Sequence, residues 1–177
     1  MALDVYGLTK QRDATTLNRF LDEDVDRAAN ADRGSEELEF EPLDARPEET
    51  QARWEWVPAL TLDHILELGL SYPRRAFIVY LKCLPAHHEA RIERAILGFT
   101  RDDQLVLGLS VSTGENMRED EWDAGETQAH KLLAHFAEAY QCHLGLILLE
   151  TAPPLGEAQF RQPAETLPIF FHATFEA

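Results

Sequence analysis

RAFIVYLKCLPAHHEARIERAILGFTRDDQLVLGLSVS (residues 75–112) holds three strongly apolar runs joined by short polar breaks, the pattern of an antiparallel β-meander. Side chains alternate along a strand, so Ala95, Leu97 and Phe99 share one face of the second run. Leu105, Leu107, Leu109 and Val111 share one face of the third. The opposite faces are mixed, carrying Arg94, Ile96, Gly98 and Thr100, then Gln104, Val106, Gly108, Ser110 and Ser112. For both apolar faces to point the same way, paired residue numbers must add to an even total, which requires an odd-numbered loop. Two three-residue loops meet that condition. Arg101-Asp102-Asp103 places Asp in the left-handed closing position and is the less strained; Asp102-Asp103-Gln104 instead sets Gly98 opposite Gly108, leaving a shallow place on the mixed face.

In the first run Phe77, Val79, Leu81 and Cys83 form the inner face, with Ile78, Tyr80 and Lys82 outside. Downstream, Trp122, Ala129, Leu132, Leu133, Phe136, Ala137 and Tyr140 recur at a helical period and predict a helix over 119–141, with Gly125 a weak point. Residues 144–149 are apolar on both faces, as in a covered interior strand. A strand–helix–strand crossover would make this strand parallel to 104–112 or to a near neighbour. Ile169, Phe171, Ala173 and Phe175 alternate in a terminal strand or arm, 167–177, which either completes this sheet or crosses to a second copy as a homodimer.

Upstream, Leu17, Phe20, Leu21, Val25 and Ala28 predict a helix over about 14–29, capped by Asp13 or Thr15, with Asp22, Glu23, Asp24 and Asp26 mostly on its wet side. Residues 3–6 read as a short edge strand and 37–43 as another, its apolar Leu38 and Phe40 alternating with glutamates. Thr61 caps a short helix carrying Leu62, Ile65, Leu66 and Leu70. The expected fold class is therefore α+β: a mostly antiparallel mixed sheet around the meander, helices packed on it, and one β-α-β crossover near the C-terminus. The whole chain, 1–177, reads as one domain with an acidic, loop-rich region at about 30–53.

Composition bears on function. Acidic residues number 32 against 16 basic, a net charge of −16, and the first fifty residues hold 14 acidic and 6 basic groups, or −8. That charge repels phosphate backbones and anionic lipid, so neither nucleic acid nor a membrane surface is an expected partner. The 45% hydrophobic content suits a packed globule. With neither a signal-peptide pattern nor an apolar run of about 18 residues, the expected location is the cytoplasm, and arginine in excess of lysine suits a GC-rich bacterial genome.

Motif searches find no P-loop, no dinucleotide-binding glycine pattern and no HExxH. Around Ser110, a second glycine and the strained turn of a nucleophile elbow are both missing. The densest potential ligand set, Cys83, His87, His88 and Cys142, lies near presumed strand ends and is the candidate for a metal or thiol site assembled from distant positions. Cys142 and His143 are neighbours in extended chain, where side chains point apart. The favoured expectation is a small acidic, non-enzymatic interaction protein for a basic partner such as a toxin or regulator, without a cofactor. Its candidate surface is Glu36, Glu37, Glu39 and Glu41 with Trp54 and Trp56 as aromatic anchors. An enzyme or metal-binding protein using the Cys and His set is the alternative.

Overall fold

The computed structural model describes residues 1–34, 37–38, 41–42, 61–72, 74–113, 119–154, 156–162 and 169–175. Its strands are β1 (Ala2–Leu8), β2 (Glu41–Pro42), β3 (Phe77–Leu81), β4 (Ile92–Phe99), β5 (Leu105–Ser112), β6 (Leu144–Leu149) and β7 (Ile169–Thr174). Its helices are α1 (Ala14–Glu23), α2 (Arg27–Ala31), α3 (Leu62–Ser71), α4 (Glu119–Tyr140) and α5 (Glu157–Arg161), with a 3-10 turn at Pro85–Ala90. The strands form one seven-stranded sheet in the order β2-β3-β4-β5-β1-β6-β7. This is an α+β architecture with helices on an antiparallel sheet.

The β4–β5 hairpin takes the less strained of the two expected registers. Phe99 pairs with Leu105 and Leu97 with Leu107, which leaves residues 101–103 as the loop. Asp103 closes it in the left-handed region at φ 60°. The two glycines therefore do not face each other: Gly98 lies opposite Val106 and Gly108 opposite Ile96. The shallow place at Gly108 is filled from its other side, because a Cβ there would sit 2.7 Å from the ring of Tyr6.

The main departure from expectation is β1. Instead of a short edge strand it is a seven-residue interior strand between β5 and β6, antiparallel to both. Leu3 and Val5 are buried on one face, Tyr6 and Leu8 on the other, so both faces need cover, which only an interior position supplies. The crossover through α4 accordingly brings β6 back in the direction of β5, with β1 between them, and every hydrogen-bonded neighbour is antiparallel. β7 pairs with β6 at the far edge, so the terminal segment completes its own sheet.

One face carries the larger core. Leu17, Phe20 and Leu21 of α1, Leu62 and Ile65 of α3, and Leu132, Leu133, Phe136 and Tyr140 of α4 pack there on Val5, Val79, Leu97, Phe99, Leu107 and Leu109. Gly125 is a point of close approach, since a Cβ on it would lie 3.0 Å from Thr113 Cγ2. The second face gathers Tyr6, Leu8, Ile78, Ile96, Val106, Leu144, Leu146, Leu148 and Phe160. Leu146 thus lies across the sheet from α4, opposite Tyr6, while Ile147 opposite Val5 joins the helix side. In a strand apolar on both faces, alternation alone does not say which face looks at the helix; the pairing with β1 decides it.

The helix expected over 14–29 is two helices. Asp13 caps α1 by accepting from Thr16 N at 2.8 Å, and α1 ends at Glu23. Val25 then bridges to Cys83, and Asp26 caps α2 by accepting from Ala29 N at 2.9 Å. These short acidic side chains bond backbone better at helix ends than inside a helix, which explains the break. Buried Asn30 fixes the second piece: its side chain donates to Lys82 O at 2.9 Å and accepts from Lys82 N at 3.0 Å. Of the strand expected at 37–43, Glu41–Pro42 is strand, on the β3 edge, and Glu37 and Leu38 are in a turn; Glu39, Phe40 and Leu43 lie outside the described residues.

Candidate functional site

Of the candidate binding surface, Glu37 is exposed and Glu41 is on the edge strand. Glu36, Glu39, Trp54 and Trp56 lie outside the described residues. Cys83 is buried and donates from Sγ to Ile92 O at 3.3 Å, while Cys142 is buried against Gly7 and Phe136. Desolvation pushes both thiols upward, away from the reactive thiolate. His87 is half-buried and His88 exposed on the 3-10 turn. Among the described residues no group of three or more His, Cys, Asp and Glu side chains is arranged to hold a metal ion.

His87 does meet a buried carboxylate, Asp24, one of the acidic residues expected on the wet side of the first helix. Asp24 caps the C-terminus of α1, and only 4% of its side chain is exposed. The Tyr140 hydroxyl donates to Asp24 Oδ2 at 2.5 Å, and His87 Nε2 lies 3.0 Å from Oδ1. Glu23 Oε2 is 3.0 Å from the same hydroxyl, and Arg19 holds Glu23 at 2.8 Å while donating to Ala139 O. Desolvation raises the Asp24 carboxyl, opposed by Tyr140, His87 and His135. Burial and the neighbouring carboxylates raise the Tyr140 phenol. The members turn on one another and tie together the ends of α1 and α4 and the 3-10 turn.

The expectation of a wet side for Asp24 is wrong, and helical spacing explains why, although its partners Tyr140 and His87 are too distant in sequence to be read. Asp24 is four residues from Phe20 and seven from Leu17, which puts it on the apolar stripe. Because its folded-state pKa is raised, the native chain holds a proton there that the unfolded chain has lost. That contribution to stability is complete below the ordinary carboxylate range and is lost as pH rises through the folded value. Asp24→Asn is therefore expected to flatten the fall in unfolding free energy across that window relative to wild type, measured by urea denaturation at a series of pH values. A wild-type-minus-variant difference independent of pH would show that Asp24 titrates normally.

The second feature is a cleft on the opposite sheet face. Asp4, Ser110 and Arg94 form a row across β1, β5 and β4, and the adjacent row is Tyr6, Gly108, Ile96 and Tyr80. Asp4 is 3% exposed; it accepts from the Ser110 hydroxyl and, at 3.1 Å, from Thr151 N. Tyr6 lies across Gly108 and donates to Thr151 O at 2.7 Å, so the segment after β6 is held over the sheet. The Arg94 guanidinium carbon stands 4.7 Å from the centre of the Tyr80 ring. Asp4, Tyr6, Tyr80 and Arg94, with Glu93, Glu150, Thr151 and the first two residues, line a space of about 400 Å³. Desolvation raises the Asp4 carboxyl, opposed by Ser110, Arg94 and Thr151.

No helix among the described residues is long and apolar enough to cross a membrane. Comparison with known proteins finds no matching family model, no matching curated protein and no matching solved structure. The class defined by fold and composition is a small acidic α+β protein.

Proposed function

We propose that this chain is a cytoplasmic, non-enzymatic binding protein whose partner is a basic protein, such as a toxin or a regulator. The observation that supports this is the distribution of charge. The net charge is −16, and several arginines that would offset it locally are turned inward or onto their neighbours. Arg12 is buried against backbone carbonyls, Arg19 binds Glu23, Arg27 binds Asp22 and Arg161 binds Glu157. Acidic side chains such as Glu37, Glu119, Asp123 and Glu138 remain exposed. Such a surface draws a cationic protein by steering, which raises the association rate most at low ionic strength. The two cysteines are free and buried, as suits a reducing compartment.

The test uses the partner identified by affinity capture and then purified. Charge reversal at Glu36, Glu37, Glu39 and Glu41 is expected to slow association about tenfold or more at low salt and much less at high salt, with folding stability nearly unchanged. Trp56→Ala is expected to act mainly on dissociation. If association is untouched by the reversals and Trp56→Ala merely unfolds the protein, the acidity serves solubility and the surface is not this one.

A further inference from the structure

We infer that the outer edge of β7 is an interface on which a second copy of this chain pairs, antiparallel, to form a two-fold dimer with one continuous sheet. The inference rests on the direction of backbone groups along one strand and is separate from the acidic surface proposed for a basic partner. Phe175 N donates to His143 O at 3.0 Å, and the same register sets Ala173 opposite Gly145 and Phe171 opposite Ile147. Backbone groups alternate between the two sides of an antiparallel strand, so residues 171, 173 and 175 bond towards β6 while the N–H and C=O of His172 and Thr174 point away from the sheet. No other described strand pairs with that side. The opposite edge of the sheet carries Glu41 and Pro42, a charge and a residue with no N–H to offer, both of which discourage pairing. By contrast β7 has no proline and no Asp, Glu, Lys or Arg, in a chain of net charge −16.

One register satisfies these groups. A two-fold axis beside Ala173 sets His172 opposite Thr174 of the second copy, twice over, and the backbone bonds it makes use the groups that point outward. Ala173 then faces its own equivalent in a non-hydrogen-bonded pair, where Cα atoms approach to about 4.5 Å and a small side chain fits. Phe171 falls opposite Phe175 of the second copy on the helix side. Phe171 is 40% exposed and rests on the His130 ring at 4.7 Å between centres, and Phe175 is only partly buried in the larger core, so the pairing covers apolar area that the single chain leaves open. On the other side of the sheet the facing side chains, His172 and Thr174, are exposed and polar. An axis beside His172 would instead set Thr174 opposite Phe170, where the register shift between Ile147 and Leu148 breaks the alternation. The regular part of the strand is the part this dimer uses.

The experiment follows the wild-type chain by sedimentation equilibrium from about 1 to 300 µM, at an ionic strength of about 0.15 M, where repulsion between two acidic copies is largely screened beyond about 8 Å. The expected result is a reversible monomer–dimer equilibrium with its midpoint inside that range, as suits a small interface. His172→Glu with Thr174→Glu in one chain sets like charges opposite each other twice and is expected to weaken the dimer about tenfold or more. His172→Glu with Thr174→Lys sets opposite charges there instead and should restore most of that loss. Ala173→Cys is expected to give a disulfide-linked dimer under mild oxidation, and His172→Cys to do so far more slowly, because its equivalent lies diagonally across at about 7 to 8 Å. The native thiols, Cys83 and Cys142, are buried. The concentration series needs wild-type protein alone, so a variant that fails to fold leaves the test standing. A single monomeric species over the whole range overturns the inference. So does a dimer whose affinity is unchanged in the like-charge variant, or one that Ala173→Cys does not cross-link, since either would put the contact elsewhere.

Discussion

Arg12→Ala is expected to lower the unfolding free energy by about 3 to 5 kcal/mol, the range seen when one partner of a buried charged group is removed. Only 1% of the Arg12 side chain is exposed, although it follows β1 in a connecting segment. Its guanidinium donates to Gly69 O, to Tyr72 O at 2.9 Å, to Arg75 O at 3.0 Å and to Thr100 O. It also lies 5.1 Å from the centre of the Phe99 ring, and Asp103 stands 3.7 Å from Nε. Gly69 and Tyr72 are at the C-terminal end of α3, where carbonyls lack helical partners and the helix dipole favours a cation. One side chain thus closes the helix, the start of β3 and the end of β4. Burial pulls the guanidinium pKa down, but an arginine stays charged, so the four carbonyls carry its compensation. Truncation leaves them facing a void. For a chain of this size the melting temperature should fall by on the order of 10 °C. Arg12→Lys should recover only part, because an ammonium has three donors and no planar fork. A loss within about 0.5 kcal/mol, typical of surface substitutions, would mean that α3 is held by packing alone.

None of that was legible beforehand, and the reason is physical. A lone arginine between two polar residues reads as solvated, and its four acceptors are scattered from residue 69 to residue 100. Local pattern served better where alternation and loop parity act over a few residues. The meander, its loop at 101–103 and the helix-side faces of β3, β4 and β5 follow from period-two alternation and the tolerance of Asp103 for a left-handed backbone, whereas Ile78, expected outside, is buried with Ile96 and Val106 in the second core. The stripe of α4 was equally readable. What escaped depended on partners distant in sequence. β1 became an interior strand because β5 and β6 flank it. Asp4, whose place on an apolar face beside Tyr6 and Leu8 was visible, acquired meaning only when Arg94, Ser110 and Thr151 arrived next to it.

Phe136→Ala is expected to destabilise the protein by about 3 to 5 kcal/mol, the usual cost of deleting a fully buried aromatic ring from a packed core. Phe136 is 0% exposed and meets the edge of Phe20 at 6.5 Å between ring centres and Tyr140 at 5.8 Å. Its ring also reaches β1 at Gly7, where a Cβ would lie 3.0 Å from it, so the helix is seated on the central strand at a place that only glycine leaves open. Relaxation is limited because Cys142 occupies the same corner: the Cβ at Gly7 would also meet its Sγ, at 2.7 Å. The size of the effect checks burial, but pairwise combination checks the face. Phe20 shares the ring contact, so Phe20→Ala and Phe136→Ala should couple, by about 0.5 to 1.5 kcal/mol in a double-mutant cycle. Leu146 packs with Tyr6 and Phe160 in the second cluster, on the far side of the sheet. Leu146→Ala and Phe136→Ala should accordingly add to within about 0.5 kcal/mol. Strong coupling of Leu146 to Phe136, with none to Phe20, would reverse the face assignment of β6 and with it the pairing that sets Thr151, just after β6, beside Asp4.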